Sequence, residues 1–283
     1  MKRILITGKN SYIGLRFEEW LAKYPDKYKI GSISLRDGAW KEKDFSDYDV
    51  VYHVAGIAHR KETDGNKELY YKVNRDLAYE VAKKAKQDGA KQFIFLSTMS
   101  VYGLESGVID EHTPLEPKSN YGKSKLQAEE LIKPLEDEVF KIAILRPPMI
   151  YGKGCKGNYP RLAKLAKITP IFPDIDNKRS MIYIDNLSEF ARLLIDNEDK
   201  GLFFPQNRDY VKTSEMVRLI GEAHGEKIIM TKLFNPLLKL LSISIVHKVF
   251  GDLVYSKDLS IFNKNYNIFI FRETIRLTEK GGM

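Results

Sequence analysis

Tyr121 and Lys125, four residues apart in Ser119-Asn120-Tyr121-Gly122-Lys123-Ser124-Lys125, are of types and at a spacing that suit acid–base chemistry. On a helix such positions share a face. An ammonium beside a phenol favours the phenolate and draws its pKa from ~10 towards working pH. Such a tyrosine can take a proton from a substrate hydroxyl or return it to a forming alkoxide. The spacing alone decides nothing: 16 tyrosines and 33 lysines among 283 residues give about two such pairs by chance, and two occur, the other being Tyr79/Lys83. Context separates them. Tyr79 lies mid-helix with no chemical group near it in sequence, whereas Tyr121 opens a helix 23 residues after Thr98, the end of the apolar run Phe95-Leu96-Ser97-Thr98. A hydroxyl at a strand end can bond the reacting oxygen and share its proton with the tyrosine. Serine and threonine are common at such ends, so Thr98, Tyr121 and Lys125 carry weight only as a set.

A second constellation opens the chain. The short apolar strand Arg3–Thr7 runs into Thr7-Gly8-Lys9-Asn10-Ser11-Tyr12-Ile13-Gly14. Gly8 can take the positive φ of a tight turn, and Gly14 lets the following helix pack close to the strand. Ser11 stands where a glycine usually allows backbone approach to a pyrophosphate. The new helix, with Tyr12 and Ile13 in its first turn, offers amide N–H groups and the positive end of a dipole to phosphates. Two glycines six apart also fit an ordinary strand-to-helix turn. Their place between a buried strand and an amphipathic helix is what points to a dinucleotide, NAD or NADP. The end of the next strand reads Ser34-Leu35-Arg36-Asp37 and leaves that choice open. Arg36 suits the 2′-phosphate of NADP and Asp37 the ribose hydroxyl of NAD. The arginine favours NADP(H), with a merely exposed Arg36 as the alternative.

The elements that must carry these residues alternate between two periodicities. Strands are expected at Arg3–Thr7, Lys29–Leu35, Asp49–Ala55, Gln92–Ser97 and Lys141–Leu145, and helices at Ser11–Lys23, Leu69–Gln87 and Tyr121–Lys133. The strands are nearly all apolar, as expected when both faces are covered. The alternation predicts an α/β fold, a Rossmann-type doubly wound parallel sheet with ligands at the C-terminal strand ends. After about residue 151 it weakens, and helices are expected at Asp185–Asp196, Thr213–Ala223 and Pro236–Val249. The organisation read from this is a dinucleotide-binding domain over 1–152, to which the helix at 185–196 returns, and a smaller C-terminal substrate lobe over 153–283.

Composition narrows the class. The chain is 43% apolar and 30% charged, which suits a packed core rather than disorder. The net charge of +8 is spread along the sequence, whereas nucleic-acid binders concentrate it on one face or tail, so no nucleic-acid partner is expected. No apolar run reaches the ~18 residues of a spanning helix, and Leu237–Phe250 lacks a broad cationic face, so no stable membrane insertion is expected. The single cysteine, Cys155, and the lack of a secretory leader fit a cytoplasmic protein. No metal site is expected.

Together the motifs resemble the extended short-chain dehydrogenase/reductase family, which includes nucleotide-sugar epimerases, dehydratases and reductases. The matching stretches are ITGKNSYIG at 6–14, HVAG at 53–56, VNRD at 73–76, STMSVYG at 97–103, SNYGKSK at 119–125 and LRPPMIYG at 145–152. The resemblance implies that Thr98, Tyr121 and Lys125 are the catalytic set, that Ala55 and Asn74 lie along the cofactor, and that Pro148 is near the nicotinamide. It further implies that Lys125 bonds the nicotinamide ribose, that Gly157-Asn158-Tyr159 contacts a nucleotide diphosphate, and that Arg179 pairs with that diphosphate; a guanidinium can hold a phosphate with two parallel bonds.

There are departures from the family pattern. Ser11 replaces a glycine, and the interval from Arg36 to Asp49 is too short for a strand and helix, as in sugar ketoreductases. Met99 and Ser100 stand where 4,6-dehydratases carry an Asp-Glu pair, which argues against water elimination. The implied reaction is NAD(P)H reduction of a UDP-linked 4-keto-6-deoxyhexosamine for capsule or polysaccharide precursors. The alternative is NAD-dependent 4-epimerisation of a UDP-hexose, and a non-catalytic dinucleotide sensor comes third. Helices Leu69–Gln87 and Tyr121–Lys133 resemble those that build a homodimer contact in relatives.

Overall fold

A computed structural model describes residues 1–233, 235 and 250–281. The helix expected at Pro236–Val249 lies outside the described residues. The chain forms two compact units, one of Met1–Gly103, Pro114–Pro147 and Leu187–Pro205, the other of Leu104–Thr113, Pro148–Asn186 and Gln206–Met283. Both are discontinuous; the sequence reading has the helix at 185–196 return to the first domain, and the structure also places Leu104–Thr113 in the second unit.

The first unit is built on a parallel sheet. Its strands are β1 (Lys2–Thr7), β2 (Tyr28–Ile33), β3 (Val50–His53) and β4 (Gln92–Leu96). In the second unit lies β5 (Gly107–Ile109), and the sheet resumes with β6 (Lys141–Leu145). A further strand at Gly201–Phe203 extends it beyond β6; three residues are too few to show a period in the sequence. The order is Gly201–Phe203, β6, β4, β3, β1, β2. Ile4, Leu5 and Ile6 of β1 are wholly buried, as are Phe93, Ile94 and Phe95 of β4, because helices cover both faces.

The chain leaves β1 for β2 on one side and returns to β3 on the other. The connections therefore diverge at the C-terminal ends of β1 and β3, the switch point where such sheets bind ligands. The register makes this edge level: Thr7 is opposite both Ile33 and His53, and His53 is opposite Phe95. Gly8, Ala55 and Thr98 follow at that level.

Four helical segments matter to the site. Helix α1 (Tyr12–Leu21) follows β1. The helix expected at Leu69–Gln87 is α2 (Lys67–Tyr71) and α3 (Leu77–Gln87), joined through a π-helical turn at Lys72–Asp76. Helix α4 (Asn120–Ile132) carries the tyrosine and lysine. Ala78, Val81, Ala82 and Ala85 of α3 and Ala128 and Ile132 of α4 pack with Leu5, Val51, Phe93 and Phe95, small residues at helical spacing that allow close approach to the sheet.

The second unit holds β7 (Met149–Tyr151), which pairs with β9 (Met181–Tyr183), and β8 (Ile171–Pro173), which pairs with β11 (Ile229–Thr231). Between these in sequence lie α5 (Asn158–Ala166), α6 (Ile184–Asn197), β10 (the Gly201–Phe203 strand above) and α7 (Thr213–His224). It ends with β12 (Leu253–Tyr255), paired with β5, and α8 (Phe271–Lys280). The Tyr151 hydroxyl bonds Thr274 of α8 at 2.7 Å and accepts from Asn207 at 3.0 Å, tying β7 into this unit. From Leu187 onward α6 belongs to the first unit, where Glu189 accepts from the Trp20 indole at 2.9 Å.

Candidate active site

The turn from β1 to α1 has little slack. Gly8 sits at φ +105, and a Cβ there would stand 3.0 Å from both Cα and N of Ala55, so glycine is required on conformational and spatial grounds. The N–H groups of Gly8 and Lys9 both donate to the Ile33 carbonyl, at 3.0 and 2.9 Å, which anchors the turn to the end of β2. Ser11, in the place of the usual glycine, has a structural part of its own in this turn. It is the N-cap of α1, and its Oγ accepts from the Gly14 amide at 3.1 Å. A Cβ on Gly14 would meet that Oγ at 2.8 Å and Ile6 at 3.3 Å. Gly8, Ser11, Tyr12, Ile13 and Gly14 thus form a close strand–turn–helix cradle that a side chain would fill, and the first turn of α1 opens at the switch point. This fits the phosphates of a dinucleotide.

Arg36 and Asp37 lie beyond β2, which ends at Ile33 rather than Leu35. Arg36 is exposed, while one Asp37 oxygen accepts from the Ala39 amide at 3.3 Å and opens a single 3₁₀ turn at Ala39–Lys41. Among the described residues, that turn is the only helical element between Arg36 and Asp49.

Beside the cradle, Asn74 is fully buried in the π-helical turn. It accepts from Ile57 N at 2.7 Å, donates to Ile57 O at 3.1 Å, and donates to Ser124 Oγ of α4 at 3.2 Å. The side chain therefore binds the loop after β3, which includes Ala55, to the helix carrying Tyr121. π-turns are often found at functional sites; here the wider turn is where the buried amide sits. A Cβ on Gly56 would lie 3.0 Å from the Asn74 oxygen and 3.4 Å from Lys125 Nζ, so the lysine reaches this loop.

Thr98 caps the 3₁₀ turn Met99–Tyr102, with its Oγ1 accepting from Ser100 N at 3.1 Å. The Thr98 side chain neighbours the Tyr121 phenol and favours its ionised form. Burial is the larger effect and raises the Tyr121 phenol above its usual range. This is opposite in direction to the lowering expected from Lys125. The lysine's ammonium donates to Leu96 O at 2.7 Å and lies 4.6 Å from the centre of the Phe95 ring. Desolvation pulls its pKa down to about 7, and the charge of Glu129 opposes that shift.

Behind these residues lies a buried ionic network that sequence reading misses. Glu129 and Arg146 are 5% and 6% exposed and form a two-pronged pair, with Nε at 3.1 Å from both oxygens and Nη2 at 2.5 Å from Oε2. Ser97 donates to Glu129, and Arg146 donates to the Tyr102 hydroxyl at 2.9 Å. The ends of β4 and β6, the Thr98 turn and α4 are joined by this network. A signal for Glu129 exists in the sequence: Tyr121, Lys125 and Glu129 recur at four-residue steps on one helix face.

His53, the last residue of β3, is wholly buried, bonded to Thr7 Oγ1 at 2.8 Å and stacked against Phe93 and Phe95. Its Nε2 has no partner among the described residues. Desolvation, and then the charge of Lys125, lower its pKa from 6.5 to about 3. Between these values the unfolded chain binds a proton that the native chain does not, so stability is full above pH 6.5 and falls as pH drops towards 3. Denaturant midpoints measured from pH 7 to 4 should decline, and His53→Gln should flatten the decline; an equally steep curve in that variant removes His53 as its source.

The remaining expected residues belong to the second unit. Pro148 is buried immediately before β7, and Asn158 is exposed as the first residue of α5, after Gly157 at φ 98. Arg179 is half-buried; its backbone pairs with Val211 at 3.0 and 2.8 Å, and its Nη1 donates to Gly251 O at 2.9 Å. Burial lowers its pKa and Asp252 opposes the shift. The structure thus gathers the glycine turn, Ala55, Asn74, Thr98, Tyr121 and Lys125 in one unit and Pro148, Asn158 and Arg179 in the other.

A sheet of this order, with a glycine cradle at its switch point and a threonine–tyrosine–lysine set at the same edge, defines a dinucleotide-binding oxidoreductase of the short-chain type. Residues 4–211 match the family model for the NAD dependent epimerase/dehydratase family, and the chain belongs to that family, the extended short-chain dehydrogenase/reductase enzymes. It is 29% identical over 291 residues to a UDP-glucose 4-epimerase of Vibrio cholerae, covering 91% of this chain and 84% of the relative. Its fold is similar to that of a UDP-glucuronic acid 4-epimerase from Bacillus cereus in complex with NAD, with TM-score 0.76, 19% identity and coverage of 99% and 98%. It is also similar to a dTDP-4-dehydrorhamnose reductase from Bacillus anthracis in complex with NADP, with TM-score 0.72, 20% identity and coverage of 98% of both chains. No helix among the described residues is long and apolar enough to cross a membrane.

Proposed function

We propose that the protein exchanges a proton and a hydride at C4 of a UDP-linked sugar, with Thr98, Tyr121 and Lys125 as its catalytic residues. The observation that carries this reading is Thr98 beside the Tyr121 phenol, one helical turn from a buried lysine, at the ligand-binding edge of the sheet. Tyr121 moves the proton to or from the C4 oxygen, and Thr98 orients that oxygen by sharing the hydrogen bond. Lys125 places a positive charge beside the loop at Gly56. When bound, the nicotinamide accepts or supplies the hydride. The dinucleotide would be held by Gly8, Ser11, Tyr12, Ile13 and Gly14 at its phosphates and by Ala55, Asn74 and Pro148 further along, and the sugar diphosphate by Asn158 and Arg179.

Two outcomes share this chemistry. Reduction of a UDP-4-keto-6-deoxyhexosamine is supported by exposed Arg36 and by the single 3₁₀ turn between Arg36 and Asp49. Epimerisation at C4 is supported by the Vibrio cholerae relative, which matches along most of the chain. Incubation with UDP-glucose, UDP-N-acetylglucosamine and its 4-keto-6-deoxy derivative, with and without NADPH, separates them. Stoichiometric NADPH consumption marks the reductase, and interconversion of sugars without net consumption marks the epimerase; no reaction with any of the three sinks the proposal.

For the dinucleotide, the reading favours NADP(H), because Asp37 already serves a backbone amide while Arg36 is exposed. Arg36→Ala is expected to weaken NADPH binding about tenfold or more, the worth of a charged hydrogen bond, and NADH binding little. Equal losses for the two in titration calorimetry would end the 2′-phosphate assignment.

A further inference from the structure

We propose that Glu62 is a positioning residue for Tyr121, an assignment that rests on Tyr121 being the proton-transfer residue. Its two carboxylate oxygens accept the first two amides of α4: Oε2 from Asn120 N at 2.8 Å and Oε1 from Tyr121 N at 3.0 Å. Ser119 Oγ takes the third, from Gly122 N, at 3.0 Å. Three of the four amides that a helix start leaves without intrahelical partners are thus satisfied, two by one acid far away in sequence. The negative charge also stands at the positive end of the α4 dipole.

A local cap already exists in Ser119, so a distant carboxylate is not needed merely to start the helix. What Glu62 adds is a tether. Its loop leaves β3 at Ala55 and Gly56, and Asn74 clamps it at Ile57 through both N–H and C=O. Next, Tyr70 Oη donates to Arg60 O at 3.1 Å, and beyond Glu62 the Thr63 amide donates to Asn66 Oδ1 at 3.0 Å. Glu62 therefore projects from a strap fixed on both sides. Tyr121 is held at its backbone amide by this strap, and its phenol stands beside Thr98. The loop that lies beside the glycine cradle and Lys125 is the same loop that sets where the phenol begins.

The test compares full-length wild type with Glu62→Ala and Glu62→Gln, the second keeping one carbonyl acceptor and the side-chain volume. Amide hydrogen exchange at Asn120 and Tyr121 should speed up in Glu62→Ala and less in Glu62→Gln, while dinucleotide affinity stays within a few-fold of wild type. On the sugar that wild type turns over, kcat should fall ~10²-fold in Glu62→Ala, the scale of a misplaced reacting group, with KM little changed and partial recovery in Glu62→Gln. Unaltered exchange at both amides, or wild-type kcat in Glu62→Ala, overturns the assignment. Tyr121→Phe measured in parallel separates the two readings: an inactive Tyr121→Phe beside a fully active Glu62→Ala sinks Glu62 alone, and an active Tyr121→Phe sinks both.

Discussion

Tyr121→Phe is expected to lower turnover by ~10²–10⁴-fold, the range of a lost general acid or base, while dinucleotide binding persists. The expected selectivity follows from how little the hydroxyl holds up. Its neighbour is Thr98, and Thr98 keeps its bonds to the amide and hydroxyl of Ser100 when the phenol is gone. Lys125 is anchored independently on Leu96 O and over Phe95, and the Asn74 clamp does not involve Tyr121's side chain. The variant should therefore fold, bind NAD or NADP as judged by cofactor fluorescence or calorimetry, and fail in chemistry. Turnover equal to wild type would falsify the role of Tyr121.

Arg146→Met should cost about 3–5 kcal/mol of folding stability, as breaking one side of a buried ion pair does. The arginine is 6% exposed and gives Glu129 three of its contacts. Without it, Glu129 is left with Ser97 as hydrogen-bond donor in a site closed to water, and the carboxylate would have to be protonated or hydrated by local opening. The bond from Arg146 to the Tyr102 hydroxyl is lost at the same time. Removing both charges, in Glu129→Leu with Arg146→Met, should recover much of the loss, since apolar replacement of a whole buried pair is often tolerated. Urea unfolding of the three proteins checks this, and a single variant within about 1 kcal/mol of wild type would show that the pair is not closed to water.

Much of the first unit is legible because its signals are short-range. The apolar runs at β1, β3, β4 and β6, the glycine turn and the four-residue step of Tyr121 and Lys125 each depend on neighbours within one or two turns of chain. Periodicity reports such features directly. Thr98 can be tied to Tyr121 only through the family resemblance and its place at a strand end. The strand at Gly201–Phe203 and the split of the second helix around a π-turn leave no local mark: the first is three residues long, and the second keeps helical periodicity on both sides. Ser11 reads as a gap in the glycine pattern, whereas the fold uses its hydroxyl to cap α1.

The order of residues alone was enough to dictate a parallel sheet with a glycine turn after its first strand and to put Tyr121 and Lys125 on one helix face. It took the packed fold to bring Glu62 to the start of that helix, to tie the helix to the β3 loop through Asn74, and to set Glu129 against Arg146 behind it. Packing also fixed the titration of the site, where burial outweighs the neighbouring Thr98 hydroxyl and raises the phenol. The difference is one of range. Backbone period and turn geometry are set within a few residues, while desolvation and the pairing of side chains distant in sequence exist only after the chain has packed.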